Sequence, residues 1–518
     1  MAVLDARTAE FATVAAVEER GKLRKHFGRA DIFFFLVCTL VGIDGLGTIA
    51  AGGGEAFTWL VIAVALFAIP SSMVLAELGA AYPQEGGPYV WVRMAFGHLP
   101  ASVNNFLYWV TNPVWLGGTL VATALAVLVS FYNGGASFSR PVVYAFGLTF
   151  IWLGVLVAVL SFAIGKWVAT IGAYARFALV GFFTVTVVIY GVQNGFQGIG
   201  TDGFSPTYSG FVALVPVILF SLVGFELPNS AGEEMKDPQR DVPAGVFKSV
   251  AATALLYGLP VLGILLVLPL DQVKGFAGFA DALKQSFTVY GGSTAADGTV
   301  TLTGAGSLIA ALTAVVFVLV VVTSGVTWIM GSDRALAVSG YDGAAPRALG
   351  AISAHFGTPV RVNILSGVVS TVILIAATEI TQGNTAKFFT VALNLAISTT
   401  LLSYLGIFPA AWKLRRTRPA DHRSYRAPML GALTILATLW ILFATQQLLF
   451  PGIGDGWFST GYLPSADWVP EERWTYLLTE LVPLVVFIAL GVLFWELGRP
   501  TREAVATAPS APVAAERS

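Results

Sequence analysis

Apolar runs of membrane length follow one another along nearly the whole of this 518-residue chain. A helix needs roughly 20 apolar residues to cross a hydrocarbon core about 30 Å thick. Only helices and closed barrels satisfy all their backbone polar groups inside a bilayer. The sequence therefore predicts an all-α integral membrane protein with twelve transmembrane helices. The twelve runs occupy residues 31–54, 57–80, 101–131, 141–163, 167–192, 211–232, 246–269, 305–330, 361–379, 388–412, 429–450 and 474–497.

Composition excludes several other classes of protein. Charged residues make up 11% of the chain, against about 25% in soluble proteins. The net charge of −1 offers no positive field for a nucleic acid, so no nucleic acid partner is expected. One cysteine and four histidines argue against a metal site, and no cofactor is expected.

An enzyme is also disfavoured by the sequence. The segment from Gly45 to Ala50 formally satisfies a dinucleotide-binding fingerprint, but that motif needs a strand, a turn and a helix in a soluble domain. Here the segment lies inside a membrane-length apolar run, and no cluster typical of hydrolases accompanies it. We expect a protein without catalytic activity.

The distribution of positive charge predicts the orientation in the membrane. An even number of spans places both termini on one side, and 24 of the 29 lysines and arginines fall on that side. The positive-inside rule assigns it to the cytoplasm. The excess of arginine over lysine in an alanine- and glycine-rich chain suggests a bacterial origin. We expect a multi-pass protein of the cell membrane, the inner membrane of a bacterium, with both termini cytoplasmic.

The first apolar run cannot be an uninterrupted helix. It contains six glycines between positions 42 and 54 and an aspartate at position 44, and each glycine in a helix interior costs about 1 kcal/mol. Asp44 follows Asp31 by 13 residues, which places it roughly 20 Å along a helix. A carboxylate at such a depth costs about 2.5–3.5 kcal/mol and usually faces a protein interior or a wet cavity.

The sixth run repeats this pattern with Pro216, Gly224, Glu226 and Pro228. Broken spans at positions one and six suggest two repeats of five helices, and broken helices of this kind form binding sites at the membrane midplane. Freed N–H groups favour a carboxylate and freed carbonyls favour a cation, so a zwitterionic amino acid suits both. Alternatively, the glycines only permit close helix packing and the acids are buried and protonated for structural reasons.

Three cytoplasmic segments carry a family resemblance. They are AELGAAYPQEGGPYVWVRMAFG at 76–97, GEEMKDPQRDVPAG at 232–245 and SDRALAVSGYDGAAPRALGAISAHFGTPVRVN at 332–363. Their order and spacing resemble the loops after the second, sixth and eighth helices of the amino acid, polyamine and organocation (APC) transporter family. The resemblance covers nearly the whole chain.

The resemblance implies a LeuT-like fold with inverted repeats and two added helices. The implied division is repeats at 31–192 and 193–412, followed by helices 11 and 12 at 413–497. From their composition, the polar residues 1–30 are expected to form a cytoplasmic tail, and the small, proline-containing residues 498–518 a disordered cytoplasmic tail. The external segment 270–304 is either a passive loop, which we expect, or a cover over the pathway.

The family pattern also implies a substrate site. A Gly-x-Gly segment in helix 1 would receive the substrate carboxylate, and carbonyls of Phe220, Ser221 and Val223 in helix 6 would accept its amine. The implied substrate-binding residues are Ile43, Asp44, Gly45, Leu46, Gly47, Thr48, Phe220, Ser221, Val223, Gly224 and Glu226.

Coupling candidates follow from the same alignment. Arg176 occupies the helix 5 position where several sodium-independent members place a cation, near Thr323 and Ser324, which resemble ion-site hydroxyls. The alternative is that Arg176 extends to the membrane interface. Asp44 departs from the family pattern. It either favours a cationic substrate by direct pairing or, like Glu226, binds and releases a proton because burial favours its neutral form.

Gating or lining candidates are Trp109, Asn112, Trp115, Asn394 and Ser398. The resulting prediction is a sodium-independent secondary transporter of amino acids or related amines, driven by protons or by exchange. A polyamine or organocation carrier is the alternative, and an amino-acid-gated channel or a sensor is the remote one. The expected partners are a small-molecule substrate, the lipid bilayer and protons, and the oligomeric state stays open.

Overall fold

The computed structural model describes residues 27–160, 162–197, 201–273, 275–295, 298–380, 385–450 and 469–507, together with Glu19, Leu23 and Lys25. Within these ranges, eleven helices are long and apolar enough to cross a membrane, and a twelfth apolar helix is shorter. They follow the order of the apolar runs, so we name them spans 1 to 12. The all-α membrane fold is confirmed. In order, the spans are Arg29–Ala50, Gly53–Ala81, His98–Tyr132, Arg140–Leu160, Phe162–Asn194, Tyr208–Ser221, Pro238–Val267, Ala305–Tyr341, Val360–Ile380, Thr385–Thr417, Leu430–Leu449 and Arg473–Leu497.

The predicted interruption of spans 1 and 6 is confirmed. In span 1 the helix Arg29–Leu40 ends, a 3-10 turn covers Ile43–Gly45, and a short helix follows at Leu46–Ala50. Span 6 ends at Ser221 and continues as the 3-10 helix Leu227–Glu234. Between them Gly224 has a φ of +119°, a backbone conformation that glycine adopts far more easily than other residues.

Two other spans change helical pitch without breaking. A π turn at Val64–Ala68 lies inside span 2, and another at Leu116–Leu120 lies inside span 3. Such π turns occur frequently at functional sites. The second one follows Trp115 directly, next to the interruption of span 1.

The broken spans lie inside the helix bundle. The first helix of span 1 packs against spans 5, 7 and 8, and all its residues from Phe35 to Leu40 are buried. By contrast, spans 8 and 12 expose large apolar side chains such as Leu308, Leu312 and Val485. These suit contact with lipid, so the irregular backbone is shielded by protein, as the bilayer requires.

Ion pairs join the loops on one side of the bundle, the side that holds most of the lysines and arginines. The short helix Pro88–Phe96 lies in one of these loops. The start of span 1 is also tied there, because Phe27 exchanges two backbone hydrogen bonds with the segment after span 6. The pairs are Arg415–Glu77 at 2.6 Å, Arg93–Asp342 at 2.6 Å, Arg334–Glu234 at 2.6 Å and Arg29–Asp241 at 2.8 Å.

The described residues of the segment after span 7, which the sequence predicted to be external, pack onto the protein instead of forming a passive loop. It contains the helix Gly278–Ser286 and an antiparallel hairpin of strands β1, Gly292–Thr294, and β2, Val300–Leu302. A Cβ atom on Gly47 would lie 2.1 Å from the carbonyl oxygen of Gly275. This close approach lets the segment cover the second helix of span 1.

The carboxyl-terminal region differs from the predicted disordered tail over part of its length. Residues Arg499–Thr507 form a helix, and Arg502 donates hydrogen bonds to the carbonyls of Gly343 and Trp495. Its guanidinium also lies 4.6 Å from the centre of the Trp495 ring. These contacts hold a helix in place in a segment that was predicted to be disordered from its composition alone. Residues 508–518 of the predicted tail lie outside the described residues.

Packing of span 3 against span 9 provides a stability test. A Cβ atom at Gly117 would lie 2.1 Å from the backbone carbonyl oxygen of Ser370, which cannot yield without moving span 9. We expect Gly117→Ala to lower the free energy of unfolding by about 1–3 kcal/mol, seen as a lower Tm in detergent. Gly181→Ala is the matched control, because nothing lies within 4 Å of its Cβ position. Equal Tm values for both variants would contradict the assigned packing.

Candidate substrate site

A narrow cavity lies between the interruptions of spans 1 and 6. Six spans contribute to its wall, and both interruptions open onto it. The lining residues are Thr39, Leu40, Gly42, Asp44, Gly45, Trp115, Val217, Phe220, Ser221, Val223, Tyr257, Trp328 and Leu393. Five of the predicted substrate-binding residues are therefore brought together here, namely Asp44, Gly45, Phe220, Ser221 and Val223.

The Asp44 carboxylate is the charged group in the cavity wall. Its side chain is 3% exposed, and the indole N–H of Trp115 donates to it at 2.7 Å. The backbone N–H groups of Asp44 and Gly45 lie close to this carboxylate. Asp44 thus lies beside the freed N–H groups that the family resemblance assigns to a substrate carboxylate.

Tyr257 of span 7 bridges the gap in span 1. Its hydroxyl accepts a hydrogen bond from the Gly42 N–H at 3.0 Å and donates to the Leu40 carbonyl at 3.0 Å. It replaces part of the helical hydrogen bonding that the break removes. Sequence reasoning missed Tyr257, because one tyrosine in an apolar span carries no distinguishing signal.

Aromatic rings form much of the remaining wall. Trp115 meets Phe220 and Trp328 edge to face, with ring centres 6.2 and 6.1 Å apart. Trp328 donates from its indole N–H to the Thr39 carbonyl at 3.2 Å. Aromatic faces attract organic cations, so the cavity combines one carboxylate with a surface suited to an ammonium or guanidinium group. Trp328, like Tyr257, was not predicted.

Glu226 supports the interruption of span 6 from outside the cavity wall. It is fully buried and accepts hydrogen bonds from the hydroxyls of Tyr108, at 3.0 Å, and Tyr404. The Tyr404 hydroxyl also accepts the Gly224 N–H at 2.8 Å. Glu226 and Tyr404 together hold the non-helical turn in place.

Arg176 is fully buried between spans 1, 5 and 8 and does not extend to the membrane interface. Its guanidinium donates to the Val41 carbonyl at 2.8 Å, where the first helix of span 1 has ended. It also donates to the hydroxyls of Thr323, at 3.1 Å, and Ser324. A positive group therefore lies between the end of a half-helix and two hydroxyls.

The other predicted substrate-binding residues do not reach the cavity wall within the described part of the chain. Ile43 and Leu46 pack into the apolar core, and Gly47 faces the segment after span 7. Thr48 has a buried hydroxyl without a hydrogen-bond partner among the described residues. Gly224, with Glu226, lies behind the wall.

Of the gating candidates, Trp115 lines the cavity. Trp109 instead donates to Asp333 at 3.0 Å, and Asn394 donates to Tyr476 of span 12 at 2.9 Å. Asn112 and Ser398 are buried but are not part of the wall that the described residues form. Helical spacing alone could not tell which side of each span faces the cavity.

Comparisons with known proteins found a matching family model and several similar transporters. A family model described as amino acid permease matches residues 27–463. An uncharacterized transporter of Legionella pneumophila is 29% identical over 77% of this chain and 83% of its own length. A probable agmatine/putrescine antiporter of Lactococcus lactis is 25% identical over 92% and 95%. A branched-chain amino acid permease of Bacillus subtilis is 23% identical over 84% and 90%.

A solved structure shares the fold. It is Mhp1, a nucleobase-cation-symport-1 family transporter in a closed conformation with bromovinylhydantoin bound. It is 14% identical, covers 95% of both chains and gives a TM-score of 0.53. At this identity the similarity extends to the arrangement of the helices.

The Arg176 contacts generate a second stability prediction. Arg176→Gln leaves carbonyls and hydroxyls of spans 1 and 8 without their donors, so we expect the free energy of unfolding to fall by about 3 kcal/mol. The change in stability is measured as the difference in Tm between the purified wild type and the variant. Lys166→Gln on the same span is the control, because Lys166 is partly exposed and lies 3.8 Å from Asp31, a pair worth about 1 kcal/mol or less. A Tm for Arg176→Gln equal to that of the control would show that the hydrogen bonds of Arg176 to spans 1 and 8 do not stabilise the protein.

Proposed function

Because the chain belongs to the amino acid permease family, and is a multi-pass membrane transporter, we propose that it is a secondary carrier of amino acids or related amines. The substrate binds between the interruptions of spans 1 and 6, and the carrier exposes this site alternately to the two sides of the membrane. The observation that carries the proposal is the Asp44 carboxylate in an aromatic cavity, which supplies a partner for a substrate amine.

The same residues would bind the substrate amine whether the substrate is an amino acid or another amine. Phe220, Ser221 and Val223 line the cavity where the first helix of span 6 ends, and carbonyl groups at a helix end favour a positive charge. Asp44 adds a full negative charge. A substrate ammonium group placed among these residues is paired and desolvated at once.

A specific observation favours the second candidate, a carrier of polyamines or other organic cations. The Asp44 carboxylate lies beside the freed N–H groups of span 1, so a substrate without a carboxylate fits the site as it stands. The relative named a probable agmatine/putrescine antiporter supports this candidate, and the branched-chain amino acid permease supports the amino acid form.

Coupling is proposed to be independent of sodium. Arg176 supplies a fixed positive charge beside Thr323 and Ser324, where a bound sodium ion would be repelled. Transport is then driven by exchange or by protons, with Asp44 and Glu226 as proton carriers. Both are buried in the membrane interior, and burial favours the neutral form of a carboxyl group.

The orientation proposal rests on charge. The side of the bundle joined by Arg93, Arg334 and Arg415 becomes the cytoplasmic side under the positive-inside rule, and both termini lie there. We place the carrier in a bacterial inner membrane, with repeats at 31–192 and 193–412.

The substrate proposal is tested by uptake into proteoliposomes. We expect saturable uptake of labelled putrescine or agmatine, and competition by basic more than by neutral amino acids. Asp44→Asn should weaken binding of the cationic substrates by about tenfold or more, since losing the partner of a desolvated charge costs over 1.4 kcal/mol. Glu379→Gln is the control, because Glu379 is exposed and pairs with Arg140 at 3.4 Å.

Several outcomes decide between the alternatives. Equal weakening of cationic and neutral substrates by Asp44→Asn would reject the cation preference. Saturable uptake of neutral amino acids alone would favour the amino acid carrier. Flux that rises linearly with substrate concentration would indicate a channel instead of a carrier. Absence of uptake for every amine tested would reject the proposed function.

Ion dependence gives a separate prediction. Because Arg176 supplies the positive charge, we expect the initial rate of uptake to be unchanged when sodium is replaced by potassium at constant pH and ionic strength. The measurement uses the wild-type protein in proteoliposomes without an imposed gradient. An increase in rate that saturates with sodium concentration would show that a sodium site exists, and would reject the role proposed for Arg176.

A further inference from the structure

Glu480 is an acidic residue in the interior of span 12 that the proposed transport site does not use. Its side chain is fully buried, and neither carboxyl oxygen has a hydrogen-bond partner among the described residues. Among the ion pairs of the described chain, none includes Glu480. Such a group is costly in a membrane protein and indicates a functional site.

Span 10 presents two polar groups to this part of span 12. Asn394 donates to the Tyr476 hydroxyl at 2.9 Å. One helical turn further along both spans, Ser398 lies close to Glu480 without forming a hydrogen bond of normal geometry. The Ser398 hydroxyl is also buried and without a hydrogen-bond partner among the described residues. The two spans therefore enclose a small polar site containing a carboxyl and a hydroxyl group.

The charged groups nearest along these helices are already engaged. Lys387 of span 10 and Glu472 of the segment before span 12 pair with each other at 2.6 Å, two helical turns from Glu480. Span 3 also packs against span 12, and its titratable Tyr108 donates to Glu226. None of these supplies a positive charge that could hold Glu480 ionised.

An ionised carboxylate that has no cation and at most one hydroxyl beside it is unstable in this environment, because burying an unpaired charge costs far more than burying a neutral acid. Glu480 therefore carries a proton in this conformation. A glutamine or leucine would fill the same space without a titratable group. The presence of a carboxyl group at this position has a reason if Glu480 exchanges its proton in another conformation.

Span 10 connects this site to the transport site. Tyr404 lies about a turn and a half beyond Ser398 on the same helix and bonds both Glu226 and the Gly224 N–H of the span 6 interruption. A displacement of span 10 relative to span 12 would therefore alter the surroundings of Glu480 and the interruption of span 6 together.

We propose that Glu480, facing Ser398, is a proton-binding site that takes a proton from water on one side of the membrane and releases it to water on the other as the carrier alternates. The inference rests on the proposed carrier function. It adds a third proton site, outside the substrate cavity, whose occupancy is linked to substrate movement through span 10.

The protonation state is tested without any transport measurement. Infrared difference spectra of wild type minus Glu480→Gln at neutral pH should show the C=O stretching band of a protonated carboxyl, shifted in heavy water. Asp44 and Glu226 are common to both proteins and cancel in the difference. Absence of the band would overturn the proposal. If Glu480→Gln does not fold, Glu480→Leu provides the same subtraction.

The coupling is tested in proteoliposomes. With one pH unit across the membrane, linkage to one proton supports about tenfold accumulation of substrate. We expect Glu480→Gln to lose this accumulation and to keep substrate exchange at equal pH on both sides, while Glu379→Gln retains both. Accumulation equal to wild type in Glu480→Gln would overturn the inference, as would parallel loss of accumulation and exchange in a protein with wild-type Tm.

The two proposals fail separately. If wild-type protein transports no amine, the carrier function is rejected, while the infrared band still decides whether Glu480 is protonated. If wild type accumulates substrate and Glu480→Gln does so equally, the carrier function stands and the role of Glu480 is rejected.

Discussion

Backbone hydrogen bonding in the bilayer is the constraint on which this structure depends. A helix that stops inside a membrane leaves N–H and C=O groups that lipid cannot satisfy. Here side chains from other spans take their place. The Tyr257 hydroxyl forms hydrogen bonds on both sides of the span 1 break. Arg176 donates a hydrogen bond to the Val41 carbonyl, and the Tyr404 hydroxyl accepts one from the Gly224 N–H. These three side chains, which we call the braces, hold both interruptions in place through hydrogen bonds to specific backbone atoms. The cavity forms between the two interruptions as a result.

The braces come from three different spans, and this has a mechanical consequence. Spans 5, 7 and 10 each contribute one of them, so relative movement of any one changes the bonding of a broken helix. Packed helices change between discrete arrangements more readily than they deform. An alternating carrier needs such a two-state element, and the buried acids Asp44 and Glu226 lie next to the braces.

The membrane class, the two interruptions and the position of Asp44 were predictable because each breaks a one-dimensional pattern. Glycines, prolines and acids stand out in an apolar run. The aromatic residues that shape the cavity were not predictable, because Trp328 or Tyr257 in an apolar span has the same sequence signal whether it faces lipid, another helix or a cavity. For the same reason Asn394 was expected at the pathway and instead contacts span 12.

The location of Asp44 links the two questions left open by the sequence, the substrate and the coupling ion. Its carboxylate lies beside the N–H groups where a substrate carboxylate would bind. A zwitterionic amino acid can use those groups only after Asp44 moves away or becomes neutral by binding a proton, since two carboxylates at one site repel each other. An amino acid substrate therefore implies that Asp44 either moves away or binds a proton. A substrate with only positive charge pairs with the ionised residue and needs no proton there, so the identity of the substrate fixes which carboxyl groups are free to couple transport to protons.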